Sequence, residues 1–316
     1  MDDMNVIEWL LESDPAIRWQ VMRDLTDSPA DEIAAERSRV AHEGWGAQIL
    51  AAQDPDGRWS GGTFFPEWIS TVDALHMLYL FGLEPDSEEA RRAIAPVHEA
   101  ARWEYDNTLR FWEGEVEPCI NGRVVAIGAY FGQDVKGIVE RLLNDQMADG
   151  GWNCEQERGS TRGSFDSTIN VLEGLLEYER KTGANGDVTA ARVRGEEYLL
   201  ERRLLHRLSD GEIPQRRWLY IGFPNKWFYD VARVLDYFRN ARPEPDERMT
   251  EALDILESKR GADGRWPLDH AYHDKLLVDL GEIEGGLSRW ITLRALRILR
   301  WAGRTEQVAA SSRVSE

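Results

Sequence analysis

The chain has 316 residues, 42% hydrophobic and 30% charged, with a net charge of −19 and two cysteines. That apolar share is enough for a large core, while the acidic excess excludes nucleic acid and anionic membrane surfaces as partners. Two cysteines make no disulfide framework, no run of 18 apolar residues offers a transmembrane segment, and the acidic opening MDDMNVIEWLLESD lacks a signal-peptide plan, so a cytoplasmic protein is expected.

Strand signals are almost absent, and apolar residues recur at i, i+3, i+4 and i+7 through most of the chain, the period of amphipathic or buried helices. In chain order the pattern predicts an apolar helix over 16–25, a charged one over 31–53, apolar 71–83, charged 87–105, apolar 121–132, charged 134–146, apolar 166–180, charged 187–205, apolar 228–240, charged 246–260 and apolar 288–301. The apolar segments start 45 to 62 residues apart, which suits one helical hairpin per repeat. Thr71, Asp166 and Ser288 stand at or beside the expected N-caps, and Gly82, Gly132 and Gly303 where left-handed C-terminal caps are expected. Six apolar helices alternating with polar ones predict an all-α fold, an (α/α)6 toroid of six helical hairpins with the apolar helices as the inner ring. Residues 1–303 form this single domain, and 304–316, without apolar period, read as a flexible C-terminal tail.

One short unit recurs three times: Gln53-Asp-Pro-Asp-Gly-Arg-Trp59, Gln146-Met-Ala-Asp-Gly-Gly-Trp152 and Arg260-Gly-Ala-Asp-Gly-Arg-Trp266. Glycine supplies the positive φ of a tight turn, and the Gln and Trp are spaced to cross-link the end of one helix to that turn. The pattern resembles the QW motif of squalene/oxidosqualene cyclases and related prenyltransferase-like proteins. The resemblance implies a single α/α toroid and a central cavity that binds or acts on an isoprenoid or other apolar ligand. No DxDD protonation tetrad and no DDxxD diphosphate-metal motif occurs in the chain.

In a toroid the inner-helix N-termini meet at one mouth, which makes residues there the candidate site. Carbocation chemistry would use a protonated carboxyl and aromatic faces. Asp166 is the first candidate acid, with Asp230, Asp73 and Glu117 behind it. The candidate ligand-binding residues are Trp19, Phe65, Trp68, Trp112, Asn121, Phe165, Trp227, Phe228, Tyr229, Arg289 and Trp290. The competing role for Asp166 is plain N-capping, and for Asp230 pairing with Arg233.

Other readings stay open. Similar toroids include protein prenyltransferase β subunits, which hold zinc through Asp, Cys and His, and lanthionine cyclases, which use Cys, Cys and His. That resemblance implies zinc on Cys119 and Cys154, completed by Asp166, His270 or His273; isolated cysteines are more often buried small hydrophobes. No cofactor is otherwise implied. A carbohydrate-active (α/α)6 enzyme would use tryptophans and the Glu113, Glu115, Glu117 run, and a non-catalytic ligand-binding toroid needs neither. Arg202, Arg203, His206, Arg207, Arg216 and Arg217 either reach the mouth to bind a diphosphate or form a solvated helix end.

Overall fold

The computed structural model describes residues 6–183, 186–272 and 275–304, and helix is its main element. In chain order these are α1 (Val6–Leu11), α2 (Pro15–Leu25), α3 (Ala30–Ser38), α4 (Gly44–Ala51), α5 (Thr71–Phe81), α6 (Glu88–Ala100), a two-stranded antiparallel hairpin of β1 (Arg102–Trp103) and β2 (Asp106–Arg110), and α7 (Pro118–Tyr130). There follow α8 (Lys136–Asn144), α9 (Phe165–Thr182), α10 (Gly186–Glu201), α11 (Val231–Ala241), α12 (Thr250–Ser258) and α13 (Arg289–Trp301). The six segments predicted as apolar helices coincide with α2, α5, α7, α9, α11 and α13 to within three residues at each end.

Helix starts follow cap chemistry. Ser288 caps α13, while Ser70 and Ser164 cap α5 and α9, so Thr71 and Asp166 lie in the first turn instead. Asp230 accepts from the Arg233 N–H at 2.8 Å and sets the start of α11 at Val231 rather than Phe228. The charged segment 31–53 is not one helix. Gly44, at φ +61°, breaks it, and Asp14 accepts from the Trp45 N–H at 2.8 Å across that break. The segment predicted as helix to Tyr105 ends at Ala100, because the chain turns into the β1–β2 hairpin, where the Asp106 carboxylate accepts from the Thr108 N–H (3.0 Å) and hydroxyl (2.6 Å). Arg304 is held by Asp254 at 2.6 Å and Glu257 at 3.2 Å; the rest of the expected tail lies outside the described residues.

The three repeats share one bonding pattern. Trp59, Trp152 and Trp266 are fully buried, and each indole N–H donates to the carbonyl ten residues earlier: Ile49 at 2.7 Å, Leu142 at 2.7 Å and Leu256 at 2.8 Å. Each Trp backbone N–H donates to a threonine hydroxyl in the first turn of the following apolar helix, or one turn in: Thr71 at 3.1 Å, Thr168 at 3.1 Å and Thr292 at 3.0 Å. The Gln53 amide donates to Gly57 O (2.9 Å) and to Ala93 O of α6 (2.8 Å), and Gln146 does the same to Gly150 O and to Ala191 O of α10, both at 2.8 Å. One side chain thus ties its own turn to the next charged helix. Gly57, Gly150 and Gly264 all have φ between +81° and +92°, conformations that a Cβ would strain.

The apolar helices contact one another in succession: α2 with α5, α5 with α7, α7 with α9, α9 with α11, α11 with α13, and α13 back to α2. The charged helices pack against them, α3 and α4 on α2, α8 on α7, α10 on α9, and α12 on α11 and α13. The α7–α9 contact is the tightest: a Cβ on Gly122 would stand 2.4 Å from Asn170 O, and one on Gly174 2.3 Å from Gly122 O. Among the described residues no helix is long and apolar enough to cross a membrane.

Candidate functional site

The ends of the apolar helices where the site was expected are filled by side chains and by the segment 223–230. Phe64 stacks on Trp227 with ring centroids 5.5 Å apart, and Lys226, 1% exposed, sits with its ammonium 4.9 to 5.7 Å from the Phe64, Trp68 and Trp227 rings. Lys226 pairs with Asp73 at 3.1 Å, and Asp73 also closes a capping box with Ser70. Asp166 spends both oxygens on structure, one on Arg217 at 2.8 Å and one on the Tyr229 N–H at 2.8 Å. Asp230 is fully buried and caps α11; burial pushes its carboxyl up, while Arg294 and the N–H groups of Arg233 and Gly222 pull the other way.

The remaining candidates divide by location. Phe165, Trp112 and Tyr229 belong to the core; Phe165 packs on Trp218 and Tyr229 at 4.3 and 5.3 Å, and the Tyr229 hydroxyl donates to Leu204 O. Phe228 stacks on Tyr272 at 4.5 Å. Asn121 bridges the Glu115 N–H and carbonyl. Arg289 lies over Trp9, and Phe65 is 54% exposed. The expected basic cluster is engaged locally, with Arg202 near Asp149, His206 on Glu251 at 2.8 Å and Arg207 on Asp210. His270 pairs with Glu284 at 3.0 Å on the surface, and His273 lies outside the described residues.

Cys119, at the start of α7, and Cys154, in the loop before α9, do converge. Their sulfurs are 2.7 Å apart, and Glu117 Oε2 lies 3.7 Å from Cys119 Sγ. The three ligand atoms fall within 4.8 Å of one another and are partly buried. The sulfur–sulfur hydrogen bond and the Ser167 hydroxyl, which donates to Cys154 at 3.3 Å, lower the Cys154 thiol, while the same sulfur–sulfur bond and burial push Cys119 up. Two thiolates and a carboxylate are a zinc-compatible donor set. Spacing alone did not single out Glu117 as the third member, because Glu117 and Cys154 are brought together only by the α7–α9 packing.

A cavity of about 360 Å³ opens elsewhere, bounded by residues from all six apolar helices, most of them from α9, α11 and α13. Trp19 and Trp290, two of the expected ligand-binding residues, line it. Most of its polar groups were not foreseen. Seven arginines and three carboxylates line it, an excess of four positive charges in a chain of net charge −19. Asp236 gathers Arg297 (2.5 Å), Arg239 (2.8 Å) and Arg294 (3.9 Å). Burial works to raise the Asp236 carboxyl, but these guanidiniums hold it well below the usual range. Arg233 forks onto Glu173 at 2.6 and 2.9 Å. Glu177, with the Tyr79 hydroxyl at 3.4 Å, is pushed up by burial against the pull of Arg180. Burial and the surrounding cations Arg123, Arg233, Lys226 and Arg294 keep His76 neutral. The lining is therefore cationic and polar rather than the apolar one expected. One signal was available in the sequence: charged residues at helical spacing inside apolar segments, as in Glu173–Glu177, Arg233–Asp236 and Arg294–Arg297.

The chain matches no family model and no curated protein sequence.

Proposed function

We propose that this chain is a single α/α toroid of the squalene-cyclase/prenyltransferase-like kind, with α2, α5, α7, α9, α11 and α13 as its inner ring. Its cavity takes an isoprenoid, or a comparable apolar molecule, that carries an anionic head. The toroid reading is supported by the circuit of helix contacts that returns from α13 to α2 and by the threefold Trp–Thr bonding pattern.

The observation that carries the ligand class is the lining itself. Seven arginines against three carboxylates favour an anion, and Trp19, Trp290, Leu80, Leu176 and Leu293 supply apolar surface beside them. Glu177 is the lining carboxyl that burial inclines to hold a proton, and so replaces Asp166 as the acid to test. The test is calorimetric titration with farnesyl diphosphate, farnesol and inorganic pyrophosphate. Farnesyl diphosphate binding at least about tenfold tighter than either part is expected, with Arg180→Ala losing about tenfold, roughly one charge-assisted hydrogen bond. Equal affinity for farnesol, or no binding of the diphosphate, would refute the reading.

A second reading is favoured by the convergence of Glu117, Cys119 and Cys154. These three would hold a zinc ion and leave a coordination position open; a zinc so bound activates a thiol or water as nucleophile. Elemental mass spectrometry of wild type beside Cys119→Ala and Cys154→Ala tests it, with about one zinc per chain expected in wild type only.

A further inference from the structure

Cys119 and Cys154 are the chain's only cysteines, and their sulfurs stand 2.7 Å apart as free thiols. Each sits on a fixed frame. Cys119 is in the first turn of α7, the helix whose Gly122 meets the α9 backbone with no room for a Cβ. Cys154 follows Trp152 by two residues. Trp152 is tied to Leu142 O and to the Thr168 hydroxyl, and the Cys154 N–H donates to the Ser167 hydroxyl at 3.2 Å. The packing that holds α7 against α9 therefore holds one thiol against the other.

Two observations separate this pair from cysteines that merely fill a core. Ile120 and Trp152 beside them are buried, whereas both thiols are partly open and residues 155–159 of the adjoining loop are exposed. Their surroundings are also polar: the Ser167 hydroxyl lies 3.3 Å from the Cys154 sulfur, and the Glu117 carboxylate 3.7 Å from that of Cys119. Bonding needs the sulfurs to approach by only about 0.7 Å.

We infer that Cys119 and Cys154 form a reversible dithiol–disulfide couple, oxidised by small disulfides and reduced by small thiols. The Cys154 sulfur, next to the exposed loop, attacks one sulfur of the oxidant and displaces the other half, which takes the Cys154 proton and leaves as a thiol. The Cys119 sulfur then attacks Cys154 in that mixed disulfide and expels the second half, which takes the Cys119 proton. One S–S bond forms in the protein as one breaks in the oxidant; two thiols are oxidised and two are produced. Because a metal is held by thiolates, oxidation also closes the Glu117–Cys119–Cys154 cluster to zinc, but the couple itself does not rest on the zinc reading.

The test uses the full chain, reduced and kept free of metal by a chelator. It is equilibrated over a series of glutathione to glutathione-disulfide ratios, quenched in acid, alkylated with N-ethylmaleimide and read by mass spectrometry. The expected chain passes in one step from two alkylated thiols to none, is lighter than the dithiol by two hydrogens, and has the Cys119 and Cys154 peptides joined. Dithiothreitol should return it to the dithiol, and its Tm when oxidised should be no lower than when reduced. Cys119→Ser and Cys154→Ser should form no internal bond and take up glutathione instead, needing at least about tenfold more glutathione disulfide, since the second thiol is no longer in place. Both thiols still free in wild type at about a hundredfold excess of the disulfide over the thiol would overturn the inference. So would glutathione adducts or cross-linked dimers in place of the internal bond, an oxidised chain that melts below the reduced one, or a single-cysteine variant modified as readily as wild type. Metal is excluded from every arm, so the outcome is separate from zinc analysis of the wild type.

Discussion

Asp236 is the counter-charge on which the cationic lining depends, and Asp236→Asn isolates that role because it keeps the side chain's shape. Its carboxylate accepts from Arg297 at 2.5 and 3.0 Å and from Arg239 at 2.8 Å, with Arg294 3.9 Å away, and is only 13% exposed. Removing one partner of a buried ion pair costs about 3–5 kcal/mol, because the other charge stays buried without compensation. Here three guanidiniums share the loss, which argues for the upper half of that range. At about 2.1 cal/mol/K per residue, the 316 residues give an unfolding entropy near 0.66 kcal/mol/K, so Tm should fall by about 6–8 °C. The pH dependence fixes the cause. The folded carboxyl is held below its unfolded value, so its contribution is full above about pH 4 and is lost as pH falls through the folded pKa. Urea melts of wild type and variant should therefore differ by a constant amount from pH 6 to 8 and converge in acid. Adding Arg297→Met to the variant should recover part of the loss. A difference below about 1 kcal/mol at pH 7, or one that does not narrow in acid, would refute the view that Asp236 neutralises this cluster.

Other outcomes follow from the same geometry. Glu177→Gln should gain stability relative to wild type as pH rises from 4 to 7, since a carboxyl raised by burial stabilises fully below its unfolded pKa and loses that contribution above its folded one; parallel profiles would place Glu177 in solvent. Gly122→Ala should cost at least about 3 kcal/mol by chemical denaturation, because its Cβ would stand 2.4 Å from backbone of α9, and a loss under 1 kcal/mol would mean that α7 and α9 separate easily. Trp152→Phe removes the 2.7 Å bond to Leu142 O and leaves a buried carbonyl short of a donor, for a loss of about 1–3 kcal/mol; a neutral result would show that ring packing alone holds the turn.

The fold was largely legible because its signals are local. The apolar period needs only a window of two or three turns, and all six such segments became helices within a few residues of their expected ends. The threefold unit was legible for the same reason, since each Trp indole reaches a carbonyl only ten residues back; the tie from Gln146 to Ala191 of α10, 45 residues on, was not. Breaks such as Gly44 were missed where a distant partner decides the matter: Asp14, thirty-one residues from Trp45, holds the bend that starts α4. The β1–β2 hairpin was missed because its polar residues, Asp106 to Thr108, carry no alternation that separates strand from charged helix.

The candidate site was less legible because the expectation rested on where helix ends meet, whereas the space depends on what fills those ends. Lys226, Trp227 and Phe64 occupy the expected mouth, and the charges of the lining sit in helix middles that looked apolar on average. Averages hide these residues. In α11, Arg233 and Asp236 are three apart on a helix whose buried positions besides Arg233 are Val231, Ala232, Val234, Leu235, Tyr237 and Phe238, so a window score reads it as core. Burying an ionised group is unfavourable unless a partner or ligand compensates. A charged residue in phase with the apolar stripe of a core helix is therefore the more specific signal, and it points to Arg233, Asp236, Arg294, Arg297 and Arg123 ahead of the exposed acidic runs.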